Sequence, residues 1–68
     1  MKRKKVTSTN INSVGYSNKL LEDEFKNNRI YLYLNVPEII YYKLMQSSSK
    51  GSFLYEFIRN KYLFKRIK

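Results

Sequence analysis

The stretch RIYLYLNVPEII, Arg29–Ile40, carries the cleanest strand pattern in this chain of 68 residues. Ile30, Leu32, Leu34 and Val36 fall on one side of an extended backbone, and Arg29, Tyr31, Tyr33 and Asn35 on the other. One side is aliphatic. The other bears a guanidinium, two phenols and a carboxamide, all of which tolerate water and donate hydrogen bonds. A lone strand leaves N–H and C=O groups unmet along both edges, and burying its aliphatic side raises that cost. No second run alternates as cleanly, so the expectation is a partner strand supplied by another molecule.

The bulk composition agrees with outside support. Below roughly 70 to 80 residues a single core seldom stabilises a chain unaided. There is no cysteine and no histidine, which removes disulfides and the usual zinc sites, so oligomerisation is the support that remains. Lys and Arg number 14 against 5 Asp and Glu, a net charge of +9, which points to a polyanionic partner such as nucleic acid or an anionic membrane surface. The opening MKRKK is followed by VTSTNINSV, too polar for the apolar part of a signal peptide. No run approaches the roughly 18 apolar residues of a membrane span. A soluble cytoplasmic protein is expected.

Residues 1–28 are rich in Lys, Ser, Thr and Asn without a sustained period and read as a flexible basic arm, with a short helix over LLEDEF as one option. Residues 29–68 read as the folded domain. Pro37 and Glu38 suit the first turn of a helix running to about Ser47, with Ile40 and Leu44 inward. SSSKGS is turn material. A second helix follows from Ser52 through FLYEFIRNKYLFKRIK, with Leu54, Phe57, Ile58 and Tyr62 as its apolar stripe.

The order strand, helix, turn, helix resembles the ribbon-helix-helix family, the Arc, MetJ and CopG type of dimeric DNA-binding regulator. YLYLNVPEIIYYKL and KGSFLYEFIRNKY carry the resemblance, including the step Phe57-Ile58-Arg59. It implies a mostly α fold with one strand per chain, an intertwined homodimer whose two strands form an intermolecular antiparallel ribbon. The dimer core would hold Leu32, Leu34, Val36, Ile40, Leu44, Leu54, Phe57, Ile58 and Tyr62. The ribbon would enter the major groove of double-stranded DNA, with Tyr31, Tyr33 and Asn35 on base edges. Arg29, Lys50, Ser52 and Phe53 would contact phosphates, the last two through main-chain donors. Lys2, Arg3, Lys4 and Lys5 would follow the DNA as an arm or act only as solubilising charge.

The function so implied is transcriptional regulation, with repression favoured and tandem dimers on adjacent sites. The layout also resembles small plasmid regulators of copy number, partition or transfer, the omega and ArtA kinds. Two rivals stand beside it: a basic amphipathic membrane-interacting peptide built on the C-terminal segment, and an antitoxin. Catalysis is disfavoured without a histidine base, a cysteine nucleophile or a glycine-rich phosphate loop. No cofactor or metal is expected.

Overall fold

The partner of the Arg29–Ile40 strand lies in the same chain. A computed structural model describes residues 1–68, and it holds five strands, β1 (Arg3–Lys5), β2 (Ile11–Ser17), β3 (Leu20–Phe25), β4 (Ile30–Tyr33) and β5 (Phe64–Arg66), with two helices between β4 and β5. Each strand is antiparallel to the next in the order β1-β2-β3-β4-β5. On β4, Tyr31 and Tyr33 sit opposite Asp23 and Leu21 of β3, and opposite Arg66 and Phe64 of β5. Both edges of β4 are therefore satisfied without a second molecule. The mostly α ribbon-helix-helix fold, with its intermolecular ribbon, is overturned in favour of a five-stranded antiparallel sheet.

Residues 1–28, read as a flexible arm, form β1, β2 and β3. Two features hide them from pattern reading. On β2 the register slips between Ile11 and Ser13, a bulge that breaks the period of two. On β3 the residues facing the helices are Leu21, Asp23 and Phe25, so a carboxyl occupies an inward position where alternation calls for an apolar side chain. The turn between them carries a local signature: Ser17 pairs with Leu20, and the two residues between, Asn18 and Lys19, have φ of 54° and 66°. Two successive positive φ values belong to the type I′ hairpin turn, which suits asparagine and then glycine. Lysine at the second position is strained, and Lys19→Gly should stabilise the protein by about 1 kcal/mol. Thermal melts of the two proteins check this; an unchanged or lower midpoint would show that the turn is not under strain.

Helix α1 (Glu38–Gln46) starts directly after Pro37, and α2 (Lys50–Phe53) passes into a π-helical turn, Leu54–Ile58. The amide of Arg59 closes that turn on the Leu54 carbonyl, five residues back, at 2.9 Å. The second helix does not run to the C-terminus. The chain turns over Arg59–Lys61 and returns as β5, so FLYEFIRNKYLFKRIK is helical only over Phe53–Ile58 and then holds the edge strand Phe64–Arg66.

The helices pack on one face of the sheet, and the buried core joins Ile11, Val14, Leu21, Tyr33 and Val36 to Leu44, Leu54 and Ile58. Val36, Leu44, Leu54 and Ile58 are thus core residues of one chain, with Ile40 and Tyr62 packed against them. Leu32, Leu34 and Phe57 are not in that core: the leucines are partly buried and Phe57 is exposed. The faces of β4 are the reverse of the expected ones. Tyr33 is fully buried among the helices, whereas Leu32 lies opposite Glu22 on the far face. A strand has only two face assignments, and choosing the wrong one inverts every side chain on it.

Candidate functional site

A groove of about 620 Å³ opens where the β3–β4 turn, the start of β4 and the second helix meet. Its floor is aromatic. Phe25, Tyr31 and Tyr33 line it, with the Tyr31 ring edge-on to Phe25 at 5.4 Å; Phe64, outside the groove, supports them by stacking on Tyr31 at 5.3 Å and tilting against Tyr33 at 5.2 Å. The rings of alternate residues on neighbouring strands fall within reach of one another, which is why β3 and β4 together can build one aromatic floor backed by Phe64 of β5.

The rim carries charge. Lys26 and Arg29 flank the β3–β4 turn, and Arg59 follows the π-helical turn; Glu56 is the one acidic residue that lines the groove. The turn is braced locally, since the Phe25 amide donates to the Arg29 carbonyl at 2.9 Å and the Arg29 amide to Asn27 Oδ1 at 3.0 Å. A π-helical turn widens the helix, and such turns recur at functional sites. Here it presents Tyr55, 59% exposed, with the Arg59 guanidinium 5.7 Å from the ring centre. An exposed ring with an arginine across its face offers a stacking platform and a cation together.

At the β3 position paired with Tyr31 lies Asp23, with no exposed surface and no hydrogen-bond partner for either carboxylate oxygen. Burial, together with the Glu22 carboxylate beside it, pushes its pKa up to about 7. The Tyr33 phenol is raised by burial first and by Asp23 second, while Arg59 pulls it the other way. On the far face of the sheet, polar side chains of β1, β2 and β3 are tied together. Arg3 pairs with Glu22 and donates to Ser13 Oγ at 3.1 Å, and Glu24 accepts from Ser13 at 2.8 Å and from Asn12 at 3.1 Å. These bonds hold the Glu24 carboxyl below its usual range. Of the acidic cluster, Glu22 and Glu24 fasten β1 to the sheet and Asp23 enters the core.

The residues expected to bind DNA are redistributed. Arg29, Tyr31, Tyr33 and Ser52 come together on the groove. Asn35, expected beside the tyrosines, has φ of 60° and turns the chain out of β4 towards α1. Phe53 has no free amide, because its N–H bonds the Ser49 carbonyl at 3.0 Å. Of the basic start, Arg3 is spent on Glu22, and Lys4 and Lys5 belong to edge strand β1. Lys50 lies just outside the aromatic groove, in a polar hollow next to it. Phe25, Lys26, Tyr55 and Arg59 were not expected as site residues. Reading LLEDEF and IYLY as two strands would have placed Lys26 and Arg29 in one turn.

A sequence profile of the KTSC domain matches residues 7–62. The chain belongs to the KTSC domain family. Among solved structures it superposes on a KTSC domain protein from Yersinia pestis with a TM-score of 0.94 and 38% sequence identity, over 98% of this chain and 97% of that one. A search of the curated proteins finds no match. The KTSC profile spans both walls of the groove, from the loop before β2 to Tyr62, and with the structural likeness it replaces the ribbon-helix-helix resemblance. No helix is long and apolar enough to cross a membrane.

Proposed function

We propose that this KTSC domain is a non-catalytic binding module for single-stranded nucleic acid, held in the aromatic groove. One observation carries the reading: the partly exposed Phe25 and Tyr31 rings and the exposed Tyr55 ring are rimmed by Lys26, Arg29 and Arg59 with a single carboxylate, Glu56. Proteins that grip single strands combine a cationic groove with rings on which unpaired bases stack. A groove of about 620 Å³ has room for a base or two and none for a duplex. The net charge of +9 adds long-range attraction for a polyanion. The major-groove mode expected from an outward ribbon has no counterpart, because Tyr33 faces the core.

Fluorescence anisotropy with labelled single-stranded RNA, single-stranded DNA and duplex DNA of one sequence tests the proposal. Single strands should bind more tightly than duplex, and the RNA and DNA arms decide which sugar is preferred. Tyr55→Ala should weaken single-strand binding by roughly 1 to 3 kcal/mol, the worth of one stacked base. Tyr55 is exposed, so the fold should survive the change. Equal affinity for duplex, or parental binding by both Tyr55→Ala and Arg59→Ala, would remove the groove as the binding site.

A further inference from the structure

Beside the aromatic groove lies a second hollow of about 440 Å³ whose ten lining residues include no hydrophobic one. Its walls are the loop before β2, with Thr7, Ser8 and Thr9, and the junction between the helices, with Ser48, Ser49 and the first residue of α2, Lys50. Six of the ten carry hydroxyls, two are lysines, and none is acidic. It shares Thr9, Asn10, Lys26, Gly51 and Ser52 with the groove, so the two are continuous. The junction depends on Gly51, where a Cβ would come within 3.3 Å of Asn10 Nδ2. The loop opposite is held by Ser8 Oγ, which accepts from the Asn10 and Ile11 amides at 3.2 Å. Lys50 Nζ donates one proton to the Ser47 carbonyl at 3.0 Å. That bond anchors the ammonium and leaves its other two protons for a ligand.

The chemistry changes sharply across the shared wall, from rings and guanidinium groups to hydroxyls and ammonium groups. A nucleotide strand changes in the same way, from flat bases to a phosphodiester link. We infer that the polar hollow holds the phosphodiester adjoining the nucleotide stacked in the aromatic groove, so that the ligand is a strand of at least two nucleotides and Lys50 with Lys26 meets its phosphate. This inference rests on the single-strand reading and adds which end of the site takes which part of the ligand.

The test compares a labelled tetranucleotide with the matching nucleoside, which has no phosphate, on the parent protein and on Lys50→Ala, Lys50→Arg and Lys43→Ala. Lys43 is an exposed α1 lysine outside both hollows and controls for net charge. Lys50→Ala should weaken the tetranucleotide about tenfold and lower the slope of log K against log salt by about 0.7, the value for one phosphate on a single strand. It should leave the nucleoside unchanged, Lys50→Arg should restore the slope, and Lys43→Ala should alter neither ligand. A parental slope in Lys50→Ala, or the same slope change in Lys43→Ala, would overturn the polar lane while leaving the aromatic site standing. A parent protein that binds no tetranucleotide would overturn both.

Discussion

Stability should fall as pH rises from about 4 to about 7, and Asp23→Asn should remove that fall. The Asp23 carboxyl titrates near 7 in the folded protein against 3.8 for an unperturbed group. Between those values the folded chain keeps a proton that the unfolded chain has released, so stability is greatest below the unfolded pKa and is lost as pH rises through the folded one. A shift of about three units corresponds to roughly 4 kcal/mol across the window, a large share of the roughly 5 to 15 kcal/mol of an ordinary domain. Glu24 acts in the opposite sense, because its lowered pKa contributes stability that is lost only as pH falls below its usual 4.5. The maximum should therefore lie near pH 4 to 5. Urea unfolding at pH 4.5, 6 and 8 measures the curve. At pH 8 the asparagine variant should be more stable than the parent by about 2 to 4 kcal/mol. A parent curve flat between pH 4.5 and 8 would show that Asp23 finds a counter-charge or water in solution.

Replacing Tyr33 by alanine should cost about 3 to 5 kcal/mol, the range for emptying a large buried aromatic site. Tyr33 is fully buried, sits opposite Leu21 and Phe64 across its two neighbouring strands, and belongs to the same core as Leu44 and Ile58. Tyr33→Phe keeps the ring and should keep most of the stability. Chemical denaturation of both variants separates the two arrangements of β4, since an outward Tyr33 on a ribbon would lose almost nothing on truncation. An alanine variant as stable as the parent would place Tyr33 on the surface after all.

How much of this was legible differs element by element. The β4 alternation and the Pro37-Glu38 helix start stood out because each is a local pattern. Leu44, Leu54 and Ile58 were readable as inward residues for the same reason. β2 and β3 escaped because their alternation is interrupted by a bulge at Asn12 and a buried carboxyl at Asp23. Overlooking them made β4 look solitary, and a solitary strand demanded a second molecule. The groove was half legible: Arg29, Tyr31, Tyr33 and Ser52 were singled out for a different geometry, while Tyr55 and Arg59 looked like ordinary exposed residues of a helix.

The amino-acid sequence alone determined the strong positive charge, the absence of cysteine and histidine chemistry, the β4 strand and the start of α1. These follow from composition or from neighbours along the chain. Tertiary structure alone decided which face of β4 is buried, that Phe64–Arg66 pairs with β4 as a strand, and that Lys26, Arg29, Tyr55 and Arg59 share one groove. Strand pairing is a contact between distant residues, and a two-residue period is equally consistent with either face. Only the strands on both sides of β4, with the helices laid over Tyr33, choose between them.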